Sequence, residues 1–149
     1  MNRIEQAVST FKEGYNCSST MLSTYGPSLG MPREQCMKAA CAFGGGLARS
    51  GKTCGAVTGA LMVIGLKYGQ ADLKDMDARM KTYKLAQDFM AEFAKRNNNT
   101  LDCRDLLGVD IGTEEGLKKA MEMNFHTMVC PKFIRDAAEI LEHILASES

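Results

Sequence analysis

Apolar residues recur along this chain at the three-and-four spacing of helices, and no stretch shows the strict alternation of a half-buried strand. Ile4, Ala7, Val8 and Phe11 mark a short amphipathic helix that Gly14 stops. Asn16 caps a second helix from Cys17 to about Tyr25, after which Gly26, Pro27, Ser28 and Gly30 make a turn. Pro32 sits near the first turn of a third, which carries Cys36, Met37, Ala40 and Cys41 and breaks at Gly44, Gly45 and Gly46. Thr53 caps a nearly continuous apolar helix from Cys54 to Tyr68, in which Gly55 and Gly59 stand on adjacent turns and permit close backbone approach. The longest helix spans about 72–96, with Leu73, Met76, Met80, Tyr83, Met90 and Phe93 near one stripe expected to face the core, and ends at Asn97, Asn98 and Asn99. Asp102 caps a short helix through Leu107, Thr113 opens one carrying Leu117, Ala120, Met121 and Phe125, and Pro131 opens a last helix to about Ala146. The pattern predicts an all-α, compact single-domain bundle of about six to eight helices over residues 1–149, with no internal repeat or linker.

Composition narrows the function. A hydrophobic fraction of 45% in 149 residues is enough for a real core. Eighteen basic residues balance eighteen acidic ones without any basic block, which argues against nucleic acid or an anionic membrane surface as partner. The apolar run from Cys54 to Leu66 is shorter than the roughly 17 to 20 residues that cross a bilayer, so no membrane span is expected. The opening MNRIEQAVSTFKEG lacks the basic head and continuous apolar segment of a secretory signal, and the expected compartment is the reducing cytoplasm. There, six cysteines read as metal ligands, redox thiols or small buried hydrophobes.

Their positions divide them. Cys17, Cys54, Cys103 and Cys130 each fall at a predicted helix start, where unpaired N–H groups and the positive helix end favour a thiolate. Such sulfurs suit either a nucleophile or an anionic metal cluster, although the absence of a C-x-x-C pair means that the fold must gather them from distant segments. Cys36 and Cys41 lie inside an apolar helical pattern, about 140° apart around the axis, and are expected to pack. Residues 46–53 formally match G-x-x-x-x-G-K-[ST], but no strand precedes them; they read as a flexible crossing that positions Cys54, with Lys52 and Arg49 supplying positive potential. His126 and His143 are expected to be structural or exposed, and the eleven methionines to pack rather than bind soft metal. Tyr15 and Arg104 stand beside Asn16-Cys17 and Cys103 as supports for a sulfur site.

Gly14-Tyr15-Asn16-Cys17, Phe43-Gly44-Gly45-Gly46, the block from Gly51 through Cys54-Gly55-Ala56-Val57-Thr58-Gly59, Cys103-Arg104-Asp105-Leu106 and the late Cys130 together resemble the redox-active family named for its C, GCAxxG, C, C pattern. This chain reads Cys-Gly-Ala where the family label reads Gly-Cys-Ala. The resemblance covers nearly the whole chain and implies that Cys17, Cys54, Cys103 and Cys130 are the hallmark thiols. It also raises an iron-sulfur cluster held by those four, with Gly55 and Gly59 close to it and a separate protein as electron donor or acceptor. Two other readings stand beside electron transfer. One is a thiol-disulfide or sulfur-handling oxidoreductase with Cys54 as nucleophile, Lys52 depressing its pKa, and Cys17, Cys103 or Cys130 resolving. The other is a structural zinc or assembly domain with no catalysis.

Overall fold

The computed structural model describes residues 1–148, and local sequence signals account for most of its helix starts. Helix α1 (Arg3–Lys12) begins at Asn2, whose side chain accepts from the Glu5 N–H at 2.9 Å, and buries Ala7, Val8 and Phe11. Helix α2 (Cys17–Tyr25) begins at Asn16, whose Oδ1 accepts from the Ser19 N–H at 2.9 Å. The same side chain donates through Nδ2 to the Cys41 carbonyl at 2.9 Å, just past α3 (Arg33–Ala40), so one asparagine caps α2 and fixes it to its neighbour. Ser18 and Ser19 reinforce that seam by donating to the carbonyls of Ala40 and Met37 at 2.7 and 3.0 Å.

After a four-residue turn, α4 (Gly44–Leu47), the apolar α5 (Gly55–Tyr68) runs through the middle of the molecule with Ala56, Val57, Ala60, Val63 and Ile64 buried. It crosses α2 closely: a Cβ added at Gly59 would lie 2.7 Å from the Ser18 carbonyl oxygen and 2.8 Å from the Met21 Cβ. The small residues therefore set the distance between the helices, as the sequence pattern predicts. The long α6 (Met76–Arg96) and the last helix, α10 (Cys130–Ser147), pack on α5, and α1 lies along α10. Phe89, Phe93, Ile134 and Leu141 are fully enclosed there. The connection from α6 to α10 carries three short elements, α7 (Cys103–Leu107), α8 (Glu114–Glu122) and α9 (Phe125–Met128).

The result is an all-α single bundle, with seven helices of eight residues or more among the described residues. The only strand-like pairing among them is an isolated antiparallel bridge between Thr53 and Asp102, and none of their helices is long and apolar enough to cross a membrane.

Three local expectations are corrected. Cys54, with extended backbone, occupies the cap position of α5, while Thr53 is held in the bridge. In α6 the inward stripe is Leu85, Phe89 and Phe93, whereas Leu73, Met76, Met80 and Tyr83 are exposed. Phe93 and the half-buried Met90 pack inward as expected, but Leu85 follows Tyr83 by two residues, a rotation of about 200°, so the inward face at Leu85 lies nearly opposite the exposed Tyr83. Finally, α8 ends at Glu122, and Asn124 at φ 53° turns the chain, so Phe125 belongs to α9 and not to the helix that Thr113 caps.

Candidate functional site

The backbone before Cys54 winds left-handed. Gly45, Gly46, Leu47, Ala48 and Arg49 have φ of 67°, 70°, 68°, 53° and 62°, one turn of opposite hand to the rest of the molecule. Each non-glycine residue so placed costs roughly 1–2 kcal/mol, so the surrounding structure must hold it. Carbonyls at its start do this: Gly44 accepts from Arg49 N–H at 3.2 Å, Gly45 from Gly51 N–H at 3.2 Å and Gly46 from Lys52 N–H at 2.9 Å. Gly46 is required on packing grounds as well, since a Cβ there would sit 2.8 Å from the Cβ of Cys103.

These bonds remove the phosphate-loop reading. The amides that would face a phosphate are taken by the turn's own carbonyls, and no strand precedes it. What the turn does is deliver residues 51–54 antiparallel to residues 101–104. Cys103 N–H donates to the Lys52 carbonyl at 2.6 Å, Arg104 N–H to Gly51 at 3.0 Å and Cys54 N–H to Leu101 at 2.8 Å. Cys54 and Cys103, forty-nine positions apart, thereby meet. Cys17 arrives because Gly55 leaves room: a Cβ at that glycine would lie 2.8 Å from the Cys17 Cβ.

Cys17, Cys54, Cys103 and Cys130 all line one cavity of about 310 Å³. Its remaining wall is largely apolar, with Phe11, Ile111, Phe125 and Phe133, and Arg49 and His126 also border it. Cys54, Cys103 and Cys130 are buried and Cys17 is half-buried. All six cysteines carry free thiols.

The four sulfurs are not electrostatically alike, which corrects the expectation that each helix start lowers its cysteine. Cys54 is pulled below the ordinary thiol value, chiefly by the neighbouring Cys17 side chain, and the amides of Ala56 and Val57 add to this against the opposing effect of burial. Cys17 is raised by hydrogen bonds to Cys130 and to Cys54, then by burial, because a thiol that donates to a neighbouring sulfur keeps its proton. Cys103 is pushed up to about 12, first by burial and then by the nearby charges of Cys54, Cys130, Asp110 and Asp102. Lys52 is exposed and is not among the groups that lower Cys54; the amides of α5 take the role assigned to it.

The shared cavity does not amount to a ready metal cage. Among the described residues, no group of three or more His, Cys, Asp or Glu side chains is arranged to hold a metal ion.

Other expected supports fall outside the site. Tyr15 is exposed beneath Arg33, whose guanidinium lies 5.5 Å from its ring centre. Arg104 is exposed and takes part through its backbone. Gly59 packs on α2, whereas Gly55 does border the cavity. Cys36 packs as expected, fully buried with its thiol 3.3 Å from the Met31 carbonyl oxygen, but Cys41 is exposed and borders the cavity. The 3₁₀ turn over Cys41–Phe43 breaks the helical pattern that would have turned it inward. His126 is structural, as expected, and also borders the cavity. Its ring stacks on Phe11 with centroids 4.0 Å apart, and its Nε2 donates to the Phe11 carbonyl at 2.9 Å, which holds it at the cavity wall. His143 is exposed on α10.

The family described as "Putative redox-active protein (C_GCAxxG_C_C)" matches residues 15–144. No curated protein and no solved structure matches the chain.

Proposed function

This chain belongs to the C_GCAxxG_C_C family of redox-active proteins, and we propose that its redox chemistry is thiol-disulfide exchange at Cys54 and Cys17. The observation that carries this reading is geometric: Gly55 lets α2 approach the start of α5, so that Cys17 and Cys54 border one cavity. Beside it stands an asymmetry, Cys54 lying below the ordinary thiol value and Cys17 above it. A nucleophile and a resolving thiol need that division of labour.

The Cys54 thiolate attacks one sulfur of a substrate disulfide; a Cys54-substrate bond forms, the substrate S–S bond breaks, and the departing thiolate takes the Cys17 proton. The Cys17 thiolate then attacks Cys54 Sγ, forms the Cys17–Cys54 disulfide and expels the second substrate thiolate. Two electrons pass to the substrate, and a dithiol reductant reverses the steps to restore the protein. The Ala56 and Val57 amides favour this restoration, because they stabilise Cys54 as the leaving thiolate. The fitting compartment is the reducing cytoplasm, where free thiols persist.

A second reading draws on the convergence of all four hallmark thiols on one cavity. Cys17, Cys54, Cys103 and Cys130 would be the ligands, and an iron-sulfur cluster held by them would supply one-electron transfer, while zinc would be structural. The side chains as disposed do not fit such a group, so exchange is the preferred chemistry.

Protein purified anaerobically, freed of metal and treated with a low-molecular-weight disulfide separates the two. Exchange predicts the loss of two thiols per chain without metal. Cys17→Ser then stalls as a mixed disulfide on Cys54, visible as the added mass of half the reagent. Metal-free protein that leaves its thiols unchanged, beside iron-loaded protein that passes electrons one at a time, overturns the proposal.

A further inference from the structure

We infer that the exchange site takes a low-molecular-weight anionic disulfide, with Arg49 engaging its carboxylate, and does not act on the disulfides of folded proteins. This rests on the dithiol reading above and adds the class of substrate. Two independent features of the cavity carry it.

The first is access. Cys54 retains only 4% exposure and lies on the cavity, so an attacked sulfur must enter to reach it. A protein disulfide is fixed between two chain segments whose Cα atoms are usually about 5.5–6 Å apart, and it brings both segments with it. The cavity, at about 310 Å³, lies at the lower end of the size of small-ligand sites, about 300–1,000 Å³. It admits a compact molecule, and Phe11, Phe125 and Phe133 suit an apolar or aromatic body.

The second feature is the cation at the rim. Arg49 borders the cavity and is exposed, and its guanidinium has no ion pair or hydrogen bond among the described residues. Its backbone is the end of the left-handed turn, a conformation that costs stability and is held by the carbonyls of Gly44 to Gly46. Gly45 completes the arrangement: a Cβ there would meet the Arg49 Cγ at 2.9 Å, so the side chain lies over the glycine on the cavity side that both residues border. An unpaired guanidinium beside an apolar cavity with a thiolate on its wall matches a molecule with a carboxylate at one end and a disulfide within reach.

The test compares three oxidants on reduced protein in a Cys41→Ser background, which removes the exposed thiol near the cavity. They are dithiobis(nitrobenzoate), an aromatic disulfide bearing carboxylates; dipyridyl disulfide, which is neutral; and native insulin, whose disulfides are embedded in a fold. The two small reagents are expected to oxidise Cys54, and insulin to leave it reduced. Arg49→Ala is expected to slow the nitrobenzoate reagent by about 10-fold, the effect of losing one charge-assisted contact. The dipyridyl rate should hold within about twofold, and Arg49→Lys should recover part of the loss. The neutral reagent separates carboxylate binding from any effect of Arg49 on the thiolate. Insulin oxidising Cys54 as fast as the small reagents, or Arg49→Ala slowing both of those equally, overturns the substrate class and leaves the dithiol reading standing. Failure of all three to oxidise Cys54 overturns both.

Discussion

Cys54→Ser lowers the rate of disulfide exchange by on the order of 100-fold or more, because a serine hydroxyl stays protonated near neutrality and the attacking species in exchange is the thiolate. Cys41→Ser and Cys36→Ser leave that rate near the parent value, since one thiol is exposed at the cavity edge and the other is buried against Met31. The pH dependence follows from the groups that face Cys54. Its thiolate is favoured by the Cys17 side chain and by the Ala56 and Val57 amides, so alkylation of Cys54 rises with pH through a midpoint below the ordinary thiol value. Cys17→Ala removes a donor to that thiolate and moves the midpoint upward. Cys17 and Cys103, both raised, stay unmodified until higher pH. A stopped-flow alkylation profile for each single variant reads these shifts.

The second large effect is on the frame. Gly59→Val destabilises the fold by about 3 kcal/mol, the upper range for forcing extra methyl groups into a well-packed contact. The new Cβ would fall within 2.8 Å of both the Ser18 carbonyl oxygen and the Met21 Cβ, so relief requires α2 and α5 to move apart. Cys17 leads α2 and Cys54 leads α5, and the same movement separates the sulfurs, so exchange is lost along with stability. Gly65→Ala in the same helix provides the contrast. Nothing lies within 4 Å of a Cβ there, and the substitution gains up to about 1 kcal/mol of helix preference. Denaturant unfolding midpoints of the two variants should therefore move in opposite directions.

Much of the architecture was legible because it is local. Asn16 as a cap, the glycine pair in α5 and Pro131 at the start of α10 each state a backbone requirement within a few residues. The helix-start placement of Cys17, Cys54, Cys103 and Cys130 was legible for the same reason. Their electrostatic inequality was not. It comes from which sulfur faces which, and that contact depends on the pairing of residues 51–54 with 101–104 and on the crossing of α2 with α5. The α6 stripe was legible only in part: Phe93 and Met90 pack inward as read, but the position of α5 and α10 decides that Leu85 and Phe89 turn inward while Met76, Met80 and Tyr83 face out. His126 had no local signal beyond its place before Cys130, because its role is set by Phe11, more than a hundred residues away.

The left-handed turn links these levels. Glycines announced a break in the chain at 44–46, but five successive residues of positive φ, two of them glycine, are a tertiary outcome. The turn brings Cys54 beside Cys103 and leaves Arg49 on the cavity rim, so the strained backbone and the sulfur site are one construction.

The most direct measurement is a disulfide map. Reduced, metal-free protein is oxidised with one equivalent of a low-molecular-weight disulfide, remaining thiols are blocked, and peptides are identified by mass spectrometry without reduction. The expected product is a single intramolecular cross-link between Cys17 and Cys54, with Cys36, Cys103 and Cys130 recovered as blocked thiols. A cross-link that bypasses Cys54, or no cross-link at all in protein that binds iron and sulfide in stoichiometric amounts, contradicts a dithiol centre at Cys54 and Cys17.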